Sequence, residues 1–440
     1  MPSTEEEVPR RCSPARHAGP AQVIHVAQSH ITADTLPASA QQPVSALTIS
    51  LIIFALAVGS FGIGTGEFAI MGLLPDVAGT FDVTNAQAGY VISAYAFGVV
   101  VGAPVLAVMG ARFRRRDLLL AFMGVFAIGN IASALAPTFE SFILMRFLTG
   151  LPHGAYFGVA ALVAASMVPV NKRTQAVGKV MLGLTLATLI GTPLAAFFGQ
   201  ILDWQYMFAA VGVTGALTVL LIAVFLPRDE APVGINAFTE LEAFKRKQVW
   251  LTLGIAATGF CGMFAVFTYI SPIVTEVAGL DLAMVPLVMA VFGSGMIVGN
   301  IFGAKLADLS LMRTIGWSLL VYFLVLVTLS LTAHIPAMLF LCCFLIGCSF
   351  VVGPALQTRL MDVAGNAQTL AAALNHSAFN VANALGALLG GLSISHGYGY
   401  ASMGYVGAIM AVCGFAVFSI SVALDRRDRQ VGSLAVCPAE

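Results

Sequence analysis

Residues 47–72 read LTISLIIFALAVGSFGIGTGEFAIMG, an apolar stretch in which Glu67 is the single charged residue. A helix of about 20 apolar residues crosses the roughly 30 Å hydrocarbon core of a bilayer. Over the whole chain, 59% of residues are hydrophobic and 10% are charged, whereas a soluble domain carries about 25% charged residues. The stretch therefore predicts a membrane-spanning helix, and the composition predicts more of them.

Twelve such stretches follow one another along the chain, separated by Pro, Gly and charged residues. We predict spans at 47–72, 87–109, 117–136, 140–168, 174–198, 205–226, 250–273, 283–306, 313–332, 337–358, 368–394 and 400–424. The least distinct separations lie at Pro137 and Pro336. The sequence thus predicts an all-α membrane protein with twelve transmembrane helices.

The basic residues lie on one side of these spans. Lys+Arg and Asp+Glu are 21 each, so the net charge indicates no nucleic-acid partner. All basic residues except Arg146 fall in the tails or in and beside the even-numbered loops: Arg10, Arg11, Arg16, Arg112, Arg114, Arg115, Arg116, Lys172, Arg173, Lys179, Arg228, Lys245, Arg246, Lys247, Lys305, Arg313, Arg359, Arg426, Arg427 and Arg429. Because basic loops remain in the cytoplasm, we expect an even number of spans and cytoplasmic termini.

The polar segments divide the chain. Residues 1–43 contain no apolar signal-peptide core and are predicted to form a disordered cytoplasmic tail; a start codon placed too far upstream is the alternative. Residues 227–249 are predicted to be a cytoplasmic linker with a short surface helix. It joins an N-terminal six-helix bundle at 44–226 to a C-terminal one at 250–424, and residues 425–440 form a second cytoplasmic tail.

The two halves show weak internal similarity. An offset of 197 residues places Gly98 and Gly102 on Gly295 and Gly299, and an offset of 195 places Gly191 on Gly386. A repeat of six spans keeps its orientation in the membrane, which is the parallel-repeat arrangement. We therefore expect two parallel six-helix bundles with the substrate bound between them near mid-membrane.

Two charged residues are predicted at membrane depth, Glu67 in the first span and Arg146 in the fourth. A buried charge is costly and by default indicates function. A buried carboxyl group holds its proton more tightly, and a nearby cation weakens that hold, so Glu67 could load and release a proton. The alternatives are a fixed ion pair that locks two helices together, or a Glu67 side chain wetted in the outer headgroup region.

Two histidines, His153 and His376, also fall within predicted spans, and His titrates near neutral pH. His153 lies two helical turns beyond Arg146 and could face the same cavity; a hydrogen bond between helices is the simpler interpretation for either residue. The offset places Phe264 opposite Glu67 and Cys343 opposite Arg146. Proton coupling is therefore assigned to the N-terminal half, through Glu67, Arg146 and His153.

Polar and aromatic side chains on the predicted core helices are the candidates for the substrate cavity. They are Tyr95, Phe97, Tyr156, Tyr269, Gln357, Asn375, Phe379 and Asn383. Ordinary packing is the alternative for each. In the fifth span, GLTLATLIGTP at 183–193 combines Gly183, Gly191 and Pro193. Because proline bends a helix and glycine admits a neighbour, this segment is predicted to be a hinge or a tight seam between the halves.

The sequence contains no arrangement typical of an enzyme. It has no phosphate-binding loop and no glycine-rich dinucleotide turn, so we expect neither catalysis nor a cofactor. Five of the seven cysteines lie in apolar runs, where the thiol packs as a small hydrophobe. The Cys and His spacings indicate no metal site.

Several stretches resemble the major facilitator superfamily, and within it the twelve-span drug:proton antiporters of the arabinose-efflux-permease-like and chloramphenicol-resistance-like bacterial branch. They are GTGEFAIMGLLP at 64–75, ISAYAFG at 92–98, RFLTGLPHGAYFG at 146–158, TYISP at 268–272 and GAKLAD at 303–308. The resemblance covers about residues 47–424. It implies the major facilitator fold.

The resemblance also implies roles for particular residues. Arg146 is similar to the helix-4 residue linked to proton coupling, and Glu67 to the helix-1 acid that some drug pumps use. Gly183, Gly191 and Pro193 look like the antiporter motif, which favours export. Arg112, Arg115, Arg116 and Asp308 match the gating loops. The acidic position of the first gating loop is Ala111, a departure from the family pattern.

We expect a proton-coupled exporter of a small organic molecule (a drug, sugar or metabolite) that works by alternating access. An importer of a sugar or metabolite, either a facilitator or a proton symporter, and a non-transporting membrane sensor are the alternatives. The expected partners are the small-molecule substrate, protons and the lipid bilayer, with no nucleic acid. We expect a monomer in the bacterial inner membrane.

Overall fold

The computed structural model describes residues 45–83, 85–195, 202–228 and 237–434. Within these ranges the secondary structure is helical, without strands. Eleven of the described helices are long and apolar enough to span a membrane, and one of them, Leu282–Thr332, is 51 residues long. That length is enough for two spans, because about 20 residues suffice for one.

The long run consists of two helices. Ser310 within it has φ −160° and ψ 88°, which is extended backbone and marks a kink between the two helices. The spans are α1 (Ala46–Phe68), α2 (Tyr90–Gly110), α3 (Arg115–Ala134), α4 (Phe139–Ser166), α5 (Val170–Ala195), α6 (Trp204–Phe225), α7 (Lys247–Thr268), α8 and α9 (Leu282–Thr332, before and after Ser310), α10 (Pro336–Val363), α11 (Gln368–Ser395) and α12 (Tyr400–Arg427). The predicted twelve spans are confirmed.

The predicted boundaries differ from the observed ones at few places. Helices do end and begin again beside Pro137 and Pro336, as expected from the sequence. The predicted spans leave residues 307–312 between the eighth and ninth helices, but helix continues on both sides of Ser310. The last helix runs on to Leu434, so the C-terminal tail is helical up to that residue.

Short helical segments connect several spans. After α1 the chain forms Ala69–Gly72, Leu74–Phe81 and Asn85–Ala88. The predicted linker contains Ala237–Glu240 and Leu241–Lys245, and α7 is followed by Ile270–Pro272 and Ile273–Val277. The linker helix was expected on the surface, but Glu240 and Ala243 are buried. The tail predicted at 1–43 and residues 229–236 of the linker lie outside the described residues.

Glycine seams in the two halves have the same geometry. A Cβ on Gly98 would lie 2.3 Å from the carbonyl oxygen of Phe147, so α2 and α4 touch through their backbones. A Cβ on Gly295 would lie 2.1 Å from the carbonyl oxygen of Phe344, where α8 meets α10 in the same way. Both contacts obey the 197-residue offset. The weak sequence repeat therefore corresponds to two similarly packed halves.

The halves meet along α5 and α8 and where α11 packs on α2 and α4. Asn300 of α8 donates a hydrogen bond to the carbonyl oxygen of Gly178 of α5, at 2.7 Å. Toward the other end of the same helix pair, a Cβ on Gly293 would lie 2.9 Å from the Cα of Leu189. These contacts enclose the centre of the molecule.

Candidate functional site

Glu67 lies in the last turn of α1, next to the interface between the halves. Its side chain is 11% exposed, so it is enclosed by protein and not fully wetted. Gly64 and Gly66 precede it in the sequence, and they face Leu184 and Val211 of neighbouring helices, respectively. The glycines let α1 approach those helices closely and leave the carboxylate as the only large polar group in this turn.

His153 on α4 lies beside this carboxylate, and the Asn380 amide of α11 also interacts with it. Nδ1 of His153 lies 4.0 Å from Oε2 of Glu67 and 3.0 Å from the hydroxyl of Tyr95 on α2. The imidazole is 1% exposed. Three helices of the N-terminal half therefore bring an acid, an imidazole and a phenol together.

The same imidazole reaches the C-terminal half. Nε2 of His153 lies 3.2 Å from Nδ1 of His376 on α11. The His376 ring also stacks on Phe157 of α4, with centroids 4.0 Å apart and planes inclined by 17°. One of the two bonded nitrogens must carry a hydrogen and the other must not, so the tautomers of the two histidines are linked.

Arg146 is completely buried and stacks over aromatic rings. Its guanidinium carbon is 4.3 Å from the centre of the Tyr95 ring and 5.3 Å from that of Phe208. In the described part of the chain, none of its guanidinium nitrogens has a hydrogen-bond partner and no carboxylate forms an ion pair with it. The ion pair with Glu67 that the sequence allowed is absent. Cation–π attraction, which strengthens on desolvation, replaces it.

A cavity of about 40 Å³ lies beside Glu67 and His153. Both halves line it: Glu67, Phe68, His153, Met181, Leu184, Met263, Phe264, Met296, Phe350, His376, Phe379 and Asn380. One water requires roughly 10–15 Å³ measured in this way, so the cavity holds at most a few waters. Glu67 and its repeat counterpart Phe264 face the same space. The acid thus comes from one half and much of the apolar wall from the other.

Most of the predicted cavity residues pack elsewhere. Of the eight, Phe379 lines the cavity, and Tyr95 lies behind His153. Phe97 does not border this cavity: its side chain is 61% exposed and packs on Phe147. Tyr156 donates a hydrogen bond to the carbonyl oxygen of Leu56 at 2.7 Å, which joins α4 to α1.

The remaining predicted cavity residues lie directly after α7 and on α10 and α11. Tyr269 donates to the carbonyl oxygen of Ala387 at 2.9 Å, and Gln357 donates to that of Ala372 at 2.9 Å. Asn375 is fully buried, and its amide has no partner among the described residues. Asn383 is partly exposed on α11. None of these side chains borders the cavity beside Glu67.

The antiporter-like segment of α5 packs on α1. A Cβ on Gly183 would lie 1.9 Å from the carbonyl oxygen of Ala57, and a Cβ on Gly191 would lie 2.3 Å from Oγ1 of Thr65. Residues Ala187–Gly191 form a π-helical turn, and Pro193 follows it. The glycines therefore form a seam within the N-terminal half and not between the halves. The π-turn is a local irregularity of the kind often found at functional sites.

The predicted gating loops lie at the end of the molecule that carries the basic loops, here called the basic end. Asp308 accepts hydrogen bonds from the backbone N–H groups of Thr174 and Gln175, at 2.8 and 3.0 Å. Arg116 donates to the carbonyl oxygen of Ala223 at 2.7 Å, and Arg112 is exposed. Asp308 therefore joins α8 to α5, across the two halves.

Arg115 acts on an acid of the linker, Glu240. Burial raises the pKa of the Glu240 carboxyl group, while hydrogen bonds from Leu370 and Thr369 and the positive charge of Arg115 oppose that rise. Oε2 of Glu240 accepts the backbone N–H of Leu370 at 2.9 Å. The carboxylate is thus held at the start of α11.

Sequence reasoning missed most of the cavity wall. Phe68, Met181, Leu184, Met263, Met296, Phe350 and Asn380 line the cavity but were not singled out. Leu, Met and Phe are common throughout the spans, so their identity carries no signal. The sequence singles out Phe264 as the counterpart of Glu67 and His376 as a membrane histidine, but neither as a cavity residue. The internal repeat was the one signal that pointed to Phe264.

The fold and the site define a multi-pass membrane protein of two similar helical halves, with a buried polar site enclosed between them. A sequence profile described as Major Facilitator Superfamily matches residues 56–375. The chain belongs to the Major Facilitator Superfamily. It is accordingly a transporter of small molecules and not an enzyme.

Similar proteins agree with this assignment. The chain is 38% identical over 366 residues to the inner membrane transport protein YdhP of Escherichia coli (strain K12), covering 83% of this chain and 94% of that one. It is 31% identical over 354 residues to a chloramphenicol resistance protein of Streptomyces lividans, covering 79% and 90%. The structure of the proton:xylose symporter XylE superposes with a TM-score of 0.68 at 16% identity, covering 84% of this chain and 95% of XylE. That likeness concerns the fold alone.

Proposed function

We propose that the protein exports a small organic molecule from the bacterial cytoplasm in exchange for protons. The observation that carries the proposal is the Glu67 carboxylate, buried in the central cavity 4.0 Å from Nδ1 of His153. A carboxylate in such a place exchanges a proton when its surroundings gain or lose water. Both halves line the cavity, so rocking of one half against the other changes that access.

The N-terminal half supplies the ionisable groups for this exchange. Glu67, His153 and Arg146 all lie on α1 and α4, and Tyr95 of α2 contacts both His153 and Arg146. The guanidinium contributes a positive charge without occupying the carboxylate, because it stacks on Tyr95 and forms no ion pair there. Glu67 therefore remains available to a proton or to a substrate.

The direction of transport rests on resemblance. The segment Gly183–Pro193 looks like the helix-5 antiporter motif, and one relative at 31% identity is named for chloramphenicol resistance. One proton that moves down a potential of 100 mV releases about 2.3 kcal/mol. At 1.4 kcal/mol per tenfold, this sustains a substrate gradient of roughly 40-fold, which is sufficient for export.

The test uses inverted vesicles from a host that lacks its main efflux pumps. Respiration acidifies their interior, a pH-sensitive dye reports the acidification, and chloramphenicol or another lipophilic antibiotic is added outside. An exporter takes up the compound and releases protons, so the dye recovers; an importer coupled to protons gives no recovery upon external addition. Glu67→Gln should abolish the recovery. The control is Glu140→Gln, which removes an exposed acid at the start of α4.

Either of two outcomes rejects the proposal. A Glu67→Gln protein that releases protons at the wild-type rate shows that this carboxylate does not couple transport. A wild-type protein that accelerates equilibration of the compound but never moves protons is a facilitator.

A further inference from the structure

Two carboxylates cap helices at the basic end, and they do so in equivalent positions. Asp308, at the end of α8, accepts the backbone N–H groups of Thr174 and Gln175 in the first turns of α5. A carboxylate at a helix N-terminus satisfies unpaired N–H groups and is attracted by the helix dipole. Since α8 and α5 belong to different halves, this cap joins the halves.

The internal repeat predicts a second cap of the same kind. The offset of 197 residues places Ala111 opposite Asp308, and the offset of 195 places Thr369 and Leu370 opposite Thr174 and Gln175. An acid at position 111, after the end of α2, would therefore cap α11. Ala111 has no acceptor in its side chain, so α2 itself cannot supply this cap.

Glu240 of the linker provides the carboxylate that caps α11. Oε2 of Glu240 accepts the N–H of Leu370 at 2.9 Å, and the carboxylate also bonds Thr369. These are the two residues that the repeat selects. The Glu240 residue is 5% exposed, and its helix Ala237–Glu240 contacts both α2 and α11. The carboxylate that caps α11 therefore comes from the linker, whose helix also contacts α2, the helix that precedes Ala111.

The residues that follow Glu240 hold the linker in the same cleft. A separate apolar cluster is formed by the basic ends of α2, α10 and α11 together with the linker: Ala103, Ala107, Ala243, Val249, Leu360, Ala364, Ala367, Leu370, Ala371, Ala373 and Leu374. Ala107 lies one helical turn before Ala111. The linker thus packs between α2 of one half and α11 of the other.

We propose that Glu240 is a positioning residue for transport, which replaces the acid absent at Ala111 and holds α11 against α2 while the basic end is closed. The two halves are then joined by two related caps, Asp308 on α5 and Glu240 on α11. The basic end opens only when α11 leaves the linker carboxylate. The inference rests on alternating access as proposed above, but the cap requires neither proton coupling nor a known substrate.

Hydrogen–deuterium exchange of the full-length protein in lipid nanodiscs tests this inference without any substrate. Glu240→Ala should raise exchange in the peptide that contains Thr369 and Leu370 by about tenfold or more, since a hydrogen bond to a charged group is lost. It should also raise exchange in the α2 peptide around Ala103–Ala107, because α2 and α11 separate. Asp308→Ala is the matched control and should instead raise exchange at Thr174 and Gln175.

The double variant Glu240→Ala/Ala111→Asp tests the equivalence directly. An acid at position 111 should recover at least half of the lost protection at Leu370. A rise at Leu370 without any change in α2 means that Glu240 caps one helix and does not control closure, which overturns the proposal. Unchanged exchange at Leu370 overturns it as well. If Glu67→Gln does not affect proton release, the coupling mechanism is rejected. The exchange experiment on Glu240 still tests the cap, because it requires neither substrate nor proton transport.

Discussion

The imidazole of His153 donates to or accepts from that of His376 across 3.2 Å, and this hydrogen bond joins the two halves of the transporter beside its central cavity. His153 belongs to α4 and His376 to α11. On the other side, His153 faces the Tyr95 hydroxyl and the Glu67 carboxylate. A change in protonation at Glu67 can therefore reach the opposite half through His153 and His376, in addition to the side chains of that half that share the cavity with Glu67.

His376→Ala should destabilise the protein by about 2–4 kcal/mol, because it leaves a buried nitrogen of His153 unpaired and removes the ring stacked on Phe157. His376→Asn is the matched variant. Its amide oxygen lies close to the position of Nδ1, which is the atom that contacts His153. The thermal shift in detergent should therefore be less than half as large. Equal shifts for the two variants would contradict a hydrogen bond between the halves.

Two substitutions of Tyr95 separate its hydroxyl from its ring. Tyr95→Phe removes the hydrogen bond to His153 and keeps the face under Arg146, so we expect a loss of about 1 kcal/mol. Tyr95→Leu also removes the cation–π contact with a fully desolvated guanidinium and should cost about 2 kcal/mol more. Thermal unfolding followed by size-exclusion chromatography measures both. If the two variants unfold at the same temperature, the ring does not stabilise Arg146.

Gly183→Ala should prevent α5 from packing on α1. The added Cβ would lie 1.9 Å from the carbonyl oxygen of Ala57, and backbone cannot move aside as a side chain does. We expect a loss of about 3 kcal/mol or more, seen as a low yield of monodisperse protein. The control is Gly124→Ala on α3, where nothing lies within 4 Å of the added carbon. That variant should be neutral or stabilised by up to about 1 kcal/mol.

Phe379 and Phe97 test which aromatic side chains reach the substrate. Phe379 lines the cavity, whereas Phe97 is 61% exposed and does not border it. Phe379→Ala should raise the KM for proton release driven by chloramphenicol, or by whichever probe first gives release, by roughly tenfold. Phe97→Ala should leave it unchanged. The reverse order would show that the transported molecule does not pass through this cavity.

The span count and the sites of membrane charge could be predicted from the sequence, because lipid imposes length and composition on every helix. What could not be predicted was the rotation of each helix about its axis. Spans such as α2 and α6 are apolar on all sides, so no periodic pattern shows which face turns inward. Phe97 and Tyr156 were placed in the cavity for this reason, and the Leu, Met and Phe side chains that do line it were overlooked.

The contacts of the charged residues also could not be predicted from the sequence. Arg146 and Glu67 looked like partners by depth alone, yet Arg146 stacks on Tyr95 and the carboxylate faces His153. The sequence does not show which partner Arg146 contacts, because that depends on how α2, which carries Tyr95, packs against α4. The replacement of the acid missing at Ala111 by Glu240 of the linker is of the same kind.

By itself, the sequence determined that this chain crosses a membrane twelve times in two related halves, with its basic loops at one end and a single acid deep in the first span. The length of the apolar stretches, the positions of the charges and the internal repeat can all be read directly from the order of the residues. Only the tertiary structure decided which side chains meet: Glu67 with His153, His153 with His376, and Glu240 with Leu370. Those contacts depend on helix rotation and close backbone approach, which the packing of all the helices sets together.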